Sequence, residues 1–119
     1  MVKILLIEDH PATAEAMVTI LKMKGIETEV AFEGITGLQK AVSGNPDLIL
    51  LDVMMPELNG IEVLKRLKAD SKTSNIPVVI ASVKATEEDI KLGKESGAVD
   101  YITKPFAPDI LLETIRKYL

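Results

Sequence analysis

The most informative stretch of the sequence is Leu48-Ile49-Leu50-Leu51-Asp52, which continues as Val53-Met54-Met55-Pro56. Four consecutive aliphatic residues are typical of a strand that is buried on both faces, as in a parallel sheet. An unpaired carboxylate is costly to remove from water, so an aspartate directly after such a strand needs partners. The stretch therefore predicts a buried strand with a polar site at its carboxyl end.

Four further apolar runs have the length of strands and alternate with helical patterns. The five predicted strands are residues 2–7, 27–32, 47–53, 77–83 and 100–103. Strict alternation of strands and helices predicts a parallel sheet with helices on both faces. The predicted fold class is therefore α/β, a doubly wound five-stranded parallel sheet with five helices. The second strand is the most polar, which suits an edge of the sheet.

The helical patterns differ in quality. The predicted helices are residues 11–24, 33–43, 60–70, a fourth that begins after Thr86 and a fifth that begins at Pro108. The spacing of apolar residues in the second helix predicts its buried face: Ile35, Leu38 and Val42. The fourth helix is the least regular, because Ile90 and Leu92 do not share one face and Gly93 lowers its helical propensity.

The composition limits the kinds of function. The chain has 119 residues, no cysteine and a formal net charge of −4. This length predicts one domain, residues 1–119, with a single core. The absence of cysteine excludes disulfides and thiolate metal sites and suits a reducing, cytoplasmic environment. The acidic balance without a basic tract argues against direct nucleic-acid binding, and no apolar run is long enough for membrane insertion.

Side chains with acidic, hydroxyl and basic groups follow four of the predicted strands. Glu8 and Asp9 follow the first strand, and Asp52 lies at the end of the third. Ser82 ends the fourth strand, and Lys104 follows the fifth. Because open parallel sheets bind ligands at the carboxyl ends of their strands, we expect these groups to meet at one edge.

Three acids and a lysine at one edge suit a divalent cation and a phosphoryl group. Mg²⁺ prefers hard oxygen ligands, which Asp9 and Asp52 could supply directly and Glu8 through a water molecule, with a main-chain carbonyl just past Asp52. A carboxylate can also act as a nucleophile and form an aspartyl phosphate. The Lys104 ammonium, the Ser82 hydroxyl and main-chain N–H groups would then surround the phosphoryl oxygens.

With these residues in this order, the chain resembles the receiver domains of two-component response regulators and is similar to the chemotaxis response regulator. The resemblance covers essentially the whole chain. It rests on five ordered motifs: Ile7-Glu8-Asp9, Leu51-Asp52-Val53-Met54-Met55-Pro56, Asn59-Gly60, Ser82, and the run from Gly97 to Phe106. It implies a flavodoxin-like fold with the strand order 2-1-3-4-5.

The resemblance also implies a role for each matching residue. Asp52 would accept the phosphoryl group, and Ser82 and Lys104 would contact that group. Magnesium would be held by Glu8, Asp9, Asp52 and the carbonyl of Met54. Ser82 and Tyr101 would act as switch residues, and the peptide bond between Lys104 and Pro105 would be cis.

The implied function is that of a phosphoacceptor signalling module in a two-component phosphorelay. Such a module is not an enzyme beyond its own phosphotransfer and autodephosphorylation. Its partners would be a sensor histidine kinase or phosphotransfer protein and a downstream effector protein or domain. Phosphorylation would switch the surface formed by the fourth helix, the fifth strand and the fifth helix. The chain is either a complete single-domain regulator or part of a longer protein.

Three residues depart from the commonest family pattern. Glu8 replaces an aspartate, Ser82 replaces a threonine, and Val83 stands where alanine or glycine is favoured. The branched Val83 side chain could narrow access to Asp52 or restrict Tyr101. A phosphorylation-independent interaction module with the same fold is therefore the alternative function.

Taken singly, several of these residues have simpler interpretations. Asp52 could cap a nearby turn, Ser82 could be a turn serine, and Glu8 and Asp9 could cap the first helix. Lys104 could be a solvated surface lysine.

Tyr101 and His10 also have simpler interpretations, and one class of enzyme is an alternative to the signalling module. Tyr101 could simply fill the edge of the core. His10, the sole histidine, is predicted to face solvent at the start of the first helix rather than to carry a phosphoryl group or a metal. A phosphatase of the haloacid dehalogenase type needs a second acid two residues after the nucleophile, where this chain has Met54.

Overall fold

The computed structural model describes residues 1–55 and 58–119, and within them five strands form one parallel sheet. The order is β2-β1-β3-β4-β5. The strands are β1 (Lys3–Ile7), β2 (Glu27–Ala31), β3 (Leu48–Leu51), β4 (Val78–Ser82) and β5 (Asp100–Thr103). The predicted fold class and strand order are confirmed, and the polar β2 lies at an edge.

Five helices within the same residues cover both faces of the sheet. They are α1 (Pro11–Lys22), α2 (Gly34–Gly44), α3 (Gly60–Ala69), α4 (Glu87–Glu95) and α5 (Pro108–Arg116). Ile4 and Leu6 of β1 pack with α1 and α5, whereas Leu5 and Ile7 pack with α2 and α3. This division follows from the alternation of side chains along a strand. All four residues of β3 are buried, as its aliphatic run predicted. None of the helices in this part of the chain has the length and hydropathy of a membrane span.

The ends of the helices follow local sequence signals. The α2 helix ends at Asn45, whose φ of 44° lies in the left-handed region that asparagine tolerates. Gly25, just past α1, has a φ of 73° and turns the chain toward β2. At α4, Thr86 and Asp89 form a complete capping box, in which each side chain bonds the other residue's main-chain N–H.

The predicted buried face of α2 is wrong in part. Ile35 and Val42 are 48% and 41% exposed, and Leu38 is only partly buried. The buried residues of α2 are Gly34, Gly37 and Ala41. A Cβ at Gly37 would lie 2.6 Å from Cδ1 of Ile7, so α2 approaches β1 through its smallest residues. The apolar residues of α2 have the helical spacing that the sequence indicated. Because the helix lies close to the sheet, however, its small residues face the sheet and the larger side chains are turned outward.

Gly93, which weakened the sequence case for α4, has a packing reason in the structure. It is buried in α4, and a Cβ there would lie 2.7 Å from Cδ1 of Ile80 and 3.1 Å from the ring of Tyr101. The glycine therefore allows α4 to lie close to β4 and β5, next to the carboxyl edge of the sheet.

Candidate functional site

The acidic residues meet because β1 and β3 are neighbours in the sheet. Ile7 pairs with Leu51, and the main-chain N–H of Asp52 donates to the carbonyl of Ile7 at 3.0 Å. Glu8 and Asp52 therefore leave the sheet side by side. In the sheet, β2 is the neighbour of β1 on one side and β3 is its neighbour on the other, so the order of the strands reverses direction at β1. This position is therefore the topological switch point.

Glu8, Asp9 and Asp52 form an acid cluster. Each offers a carboxylate oxygen, and these oxygens all lie within 4.8 Å of one another. Glu8 is 1% exposed and Asp52 is 8% exposed, whereas Asp9 is half-buried. Burying like charges together is unfavourable unless cations or hydrogen-bond donors compensate them.

Lys104 supplies the compensating positive charge. Ser82 pairs with Thr103 across β4 and β5, and the main-chain N–H of Lys104 donates to the carbonyl of Ser82 at 2.9 Å. The Lys104 ammonium donates to Oδ2 of Asp52 at 3.1 Å and also to Oε1 of Glu8. Its side chain is only 12% exposed, so Lys104 is not a solvated surface lysine. The expected cis peptide bond between Lys104 and Pro105 is confirmed.

Main-chain donors fix the orientation of the two buried carboxylates. Met54 N–H donates to Oδ1 of Asp52 at 2.9 Å, and His10 N–H donates to Oε2 of Glu8 at 3.1 Å. Burial raises the pKa of the Glu8 carboxyl above its ordinary value, with the Asp52 charge acting in the same direction. The hydrogen bonds from Lys104 and His10 lower the Glu8 pKa but do not cancel the effect of burial.

The donor set of the acid cluster suits a hard divalent cation. Three carboxylates from two adjacent strand ends converge within 4.8 Å, and oxygen ligands of this kind are those that Mg²⁺ prefers. A bound cation would also offset the crowded negative charge that a single lysine leaves uncompensated.

His10, rather than either of the two acids next to it, lies at the start of α1. His10 is exposed, as predicted, and it is the N-cap of α1. Its Nδ1 accepts a hydrogen bond from the main-chain N–H of Thr13 at 3.4 Å. The α1 helix is therefore capped by His10 rather than by Glu8 or Asp9, which leaves both carboxylates available to the cluster.

The predicted switch residues both contact the loop between β4 and α4. Ser82 is fully buried, and its Oγ accepts from the main-chain N–H of Lys84 at 3.2 Å. The Tyr101 hydroxyl donates to the carbonyl of Lys84, and burial raises the pKa of this hydroxyl. Val83 lies between Ser82 and Lys84 in the chain and is 60% exposed.

Gly60 is a structural requirement of the site that residue chemistry alone did not reveal. Its N–H donates to the carbonyl of Val53 at 3.0 Å, and a Cβ there would lie 2.3 Å from Cα of Val53 and 2.4 Å from the carbonyl oxygen of Asp52. The start of α3, with Asn59 as its N-cap, thus lies directly on the loop that follows Asp52. The Asn59-Gly60 motif was the available signal. Its companion Pro56 lies outside the described residues.

Comparison with known protein sequences identifies similar chains. A family model described as the response regulator receiver domain matches residues 4–116. The DNA-binding response regulator MtrA of Mycolicibacterium smegmatis is 40% identical over 117 residues, which are 98% of this chain and 50% of that protein. Protein PilH of Pseudomonas aeruginosa is 38% identical over 119 residues, which are 100% of this chain and 98% of that protein. The chain thus spans about half the length of MtrA and nearly the whole of PilH.

Solved structures show the same architecture. The chemotaxis protein CheY4 of Vibrio cholerae superposes with a TM-score of 0.94 at 31% identity, covering 100% of this chain and 99% of that one. The receiver domain of the sensor histidine kinase PA1611 of Pseudomonas aeruginosa superposes with a TM-score of 0.90 at 25% identity, covering 98% of this chain and 95% of that one. That domain has a magnesium ion coordinated in its active site cleft.

Proposed function

The chain belongs to the family of response regulator receiver domains of two-component systems, and we propose that Asp52 is the carboxylate on which it accepts a phosphoryl group. The position of Asp52 carries this proposal. Asp52 follows the central strand β3, is 8% exposed, and lies 3.1 Å from the Lys104 ammonium with two further acids beside it. A carboxylate held in this way is oriented for nucleophilic attack and has a cation ready for the transferred group.

The transfer would form one bond and break another. A carboxylate oxygen of Asp52 attacks the phosphorus of the donor, while the bond from phosphorus to the donor's leaving group breaks. The hydrogen bond from Met54 N–H holds the carboxylate in one orientation during the attack. The Lys104 ammonium then pairs with a phosphoryl oxygen. Magnesium held by Glu8, Asp9, Asp52 and the Met54 carbonyl would offset the charge of the incoming phosphoryl group.

The response to phosphorylation is proposed to pass through Ser82 and Tyr101. The Ser82 hydroxyl lies fully buried at the end of β4, next to the strand that leads to Lys104, and can donate to a phosphoryl oxygen. Tyr101 bonds the main chain of the same loop that Ser82 bonds. A change at Ser82 would therefore reach Tyr101 and the surface of α4, β5 and α5.

Membership of the family supports a proposal for the domain organisation and the partners. We propose that residues 1–119 act as one receiver domain in the cytoplasm. Receiver domains interact with histidine kinases and with effectors. Here the phosphodonor would be a sensor histidine kinase or a phosphotransfer protein, and the recipient of the signal would be a downstream effector protein or domain. The residues of this chain do not point to direct nucleic-acid contact, since the net charge is −4.

The direct test is phosphorylation by a small donor. Purified protein is incubated with Mg²⁺ and acetyl phosphate and then weighed by intact-mass spectrometry. One added phosphoryl group is expected in the wild type, and none in Asp52→Asn or in wild type with chelator. The exposed Asp109→Asn variant, which makes the same chemical change away from the site, should be modified like the wild type.

Two results would contradict the proposal. An equal adduct in Asp52→Asn would mean that another residue is the acceptor. No adduct with acetyl phosphate, together with no spectral change on adding beryllofluoride and magnesium, would favour the phosphorylation-independent interaction module instead.

A further inference from the structure

Lys84 lies between the phosphorylation site and the start of α4. With Asp9, Met54 and two neighbouring apolar residues it lines an open depression of about 530 Å³ at the mouth of the acid cluster. It also lines a cleft of about 320 Å³ between α3 and α4, which contains Asp89 and Tyr101. Lys84 thus lines both cavities, and a movement of its side chain would change the shape of both.

The three polar parts of Lys84 contact three different elements. Its main-chain N–H donates to Ser82 Oγ at the end of β4, and its carbonyl accepts from Tyr101 of β5. Its ammonium pairs with Oδ1 of Asp89, in the first turn of α4, at 3.8 Å. The main-chain bonds fix the backbone of Lys84, whereas within residues 1–55 and 58–119 its ammonium forms an ion pair with Asp89 alone.

The ion pair between Lys84 and Asp89 can be exchanged without loss of the helix start. The Lys84 side chain is 55% exposed and that of Asp89 is 23% exposed, and ion pairs that remain open to solvent in this way are weak. Asp89 also accepts from the Thr86 hydroxyl at 2.8 Å and from the Thr86 N–H at 3.2 Å. The Thr86 hydrogen bond, more than the nearby lysine, lowers the pKa of the Asp89 carboxyl. The capping box therefore remains when Lys84 leaves.

We propose that Lys84 is a second cation of the phosphorylation site and that it changes its partner between two states. In the unmodified protein it pairs with Asp89. When a phosphodonor or a phosphoryl group occupies the mouth of the acid cluster, the Lys84 ammonium turns toward that anion and leaves Asp89 to the capping box alone. This inference rests on the proposed function, because it requires a phosphoryl group at Asp52.

The direction of the exchange follows from the charges. A phosphoryl group carries about 1.5 to 2 negative charges near neutral pH, whereas Asp89 carries one and already accepts two bonds from Thr86. A flexible lysine on a short loop can pair with either anion by rotating its side chain. The exchange would link occupancy of the site to the N-terminus of α4 through one side chain.

A double-mutant cycle tests this exchange. The initial rate of phosphorylation by acetyl phosphate with Mg²⁺ at low salt is measured for wild type, Lys84→Met, Asp89→Asn and the double variant. Methionine keeps an unbranched stem without charge, and asparagine can still accept from Thr86. Lys91→Met is the matched control, because Lys91 lies on α4, the helix that carries Asp89, and forms an exposed ion pair with Glu95, also at 3.8 Å.

The expected rates differ in direction between the two single variants. Lys84→Met should slow phosphorylation about 3- to 10-fold, since one cation that attracts the anionic donor is lost. Asp89→Asn should speed it about 2- to 3-fold, because Lys84 no longer has a competing partner. In the double variant the gain from Asp89→Asn should disappear, and Lys91→Met should match the wild type. In about 1 M salt the effect of Lys84→Met should shrink, because exposed charges are then screened.

Each other result rejects the exchange. Equal rates in all four proteins, or the same acceleration by Asp89→Asn with and without Lys84, would leave Asp52 phosphorylation standing and remove the role of Lys84. If no adduct that depends on Asp52 forms in any protein, the proposed function fails and the inference falls with it.

Discussion

Replacing Asp52 by asparagine should make the metal-free protein more stable. The substitution keeps the size of the side chain, and the amide oxygen can still accept the 2.9 Å hydrogen bond from Met54 N–H. It removes one of three carboxylates whose oxygens lie within 4.8 Å of one another. Lys104 keeps Glu8 as a partner, so no buried ammonium is left alone.

The magnitude follows from the distances in the acid cluster. At an effective dielectric constant of about 20, two unit charges 4.8 Å apart repel by about 3.5 kcal/mol, so removing the repulsions of Asp52 with Glu8 and Asp9 gains about 7 kcal/mol. The lost attraction to Lys104 at 3.1 Å costs about 5.4 kcal/mol on the same scale. Solvent around the half-buried Asp9 screens part of the difference and leaves a net gain of about 1 kcal/mol. For a domain of this size that gain raises the melting temperature by about 3–6 °C.

Thermal unfolding followed by circular dichroism in chelator at neutral pH measures this gain. Wild type, Asp52→Asn and the exposed Asp109→Asn are compared. The control should not melt above the wild type, because it removes a negative charge from the first turn of α5, where the helix dipole favours one. A melting temperature of Asp52→Asn that is level with the wild type or below it would refute the reasoning. The attraction to Lys104 would then outweigh the repulsion among the acids.

Three further changes probe the acid cluster and the loop that carries it. Added Mg²⁺ should raise the melting temperature of the wild type more than that of Asp9→Ala, because loss of a carboxylate weakens binding to the folded state; equal shifts in a scanning-fluorimetry titration would contradict a ligand role for Asp9. Gly60→Ala should lower the free energy of urea unfolding by about 1–3 kcal/mol through overpacking. Gly44→Ala should change it by less than about 1 kcal/mol, because its Cβ would meet the flexible side-chain ends of Lys3 at 3.1 Å and Glu29 at 3.4 Å. Burial raises the pKa of Glu8 above its ordinary 4.5, so the folded metal-free protein binds more protons than the unfolded chain just above that pH. Its stability should therefore fall as the pH rises from about 4.5 through the higher folded pKa, and Glu8→Gln should flatten this slope in urea titrations.

The sheet and the acid cluster could be predicted because few physical constraints determine them. The aliphatic run of β3 can only be buried on both faces, and a parallel sheet brings the carboxyl ends of its strands to one edge whatever the details of packing. Glu8 and Asp52 therefore met as expected, one residue beyond the paired Ile7 and Leu51. The residue order after each strand then supplied the family resemblance, which the comparisons bear out.

The faces of the helices were harder to predict. The periodicity of α2 pointed to Ile35 and Val42 as core residues, but the structure buries Gly37 and Ala41 instead. Periodicity reports which residues share a face, not how closely that face can approach the sheet. A face of glycine and alanine allows an approach at which Cβ of a larger residue would collide with Ile7. Gly93 in α4 has the same explanation.

The sequence by itself determined which chemical groups this protein brings to one edge of its sheet. Strand burial, chain order and the parallel topology were enough to gather Glu8, Asp9, Asp52 and Lys104 there. Only the tertiary structure decided how these groups share their partners. One ammonium serves both Glu8 and Asp52, and Lys84 joins the loop after β4 to the start of α4. These contacts depend on the register of the strands and on the relative positions of side chains that are far apart in the chain. A local sequence pattern contains neither.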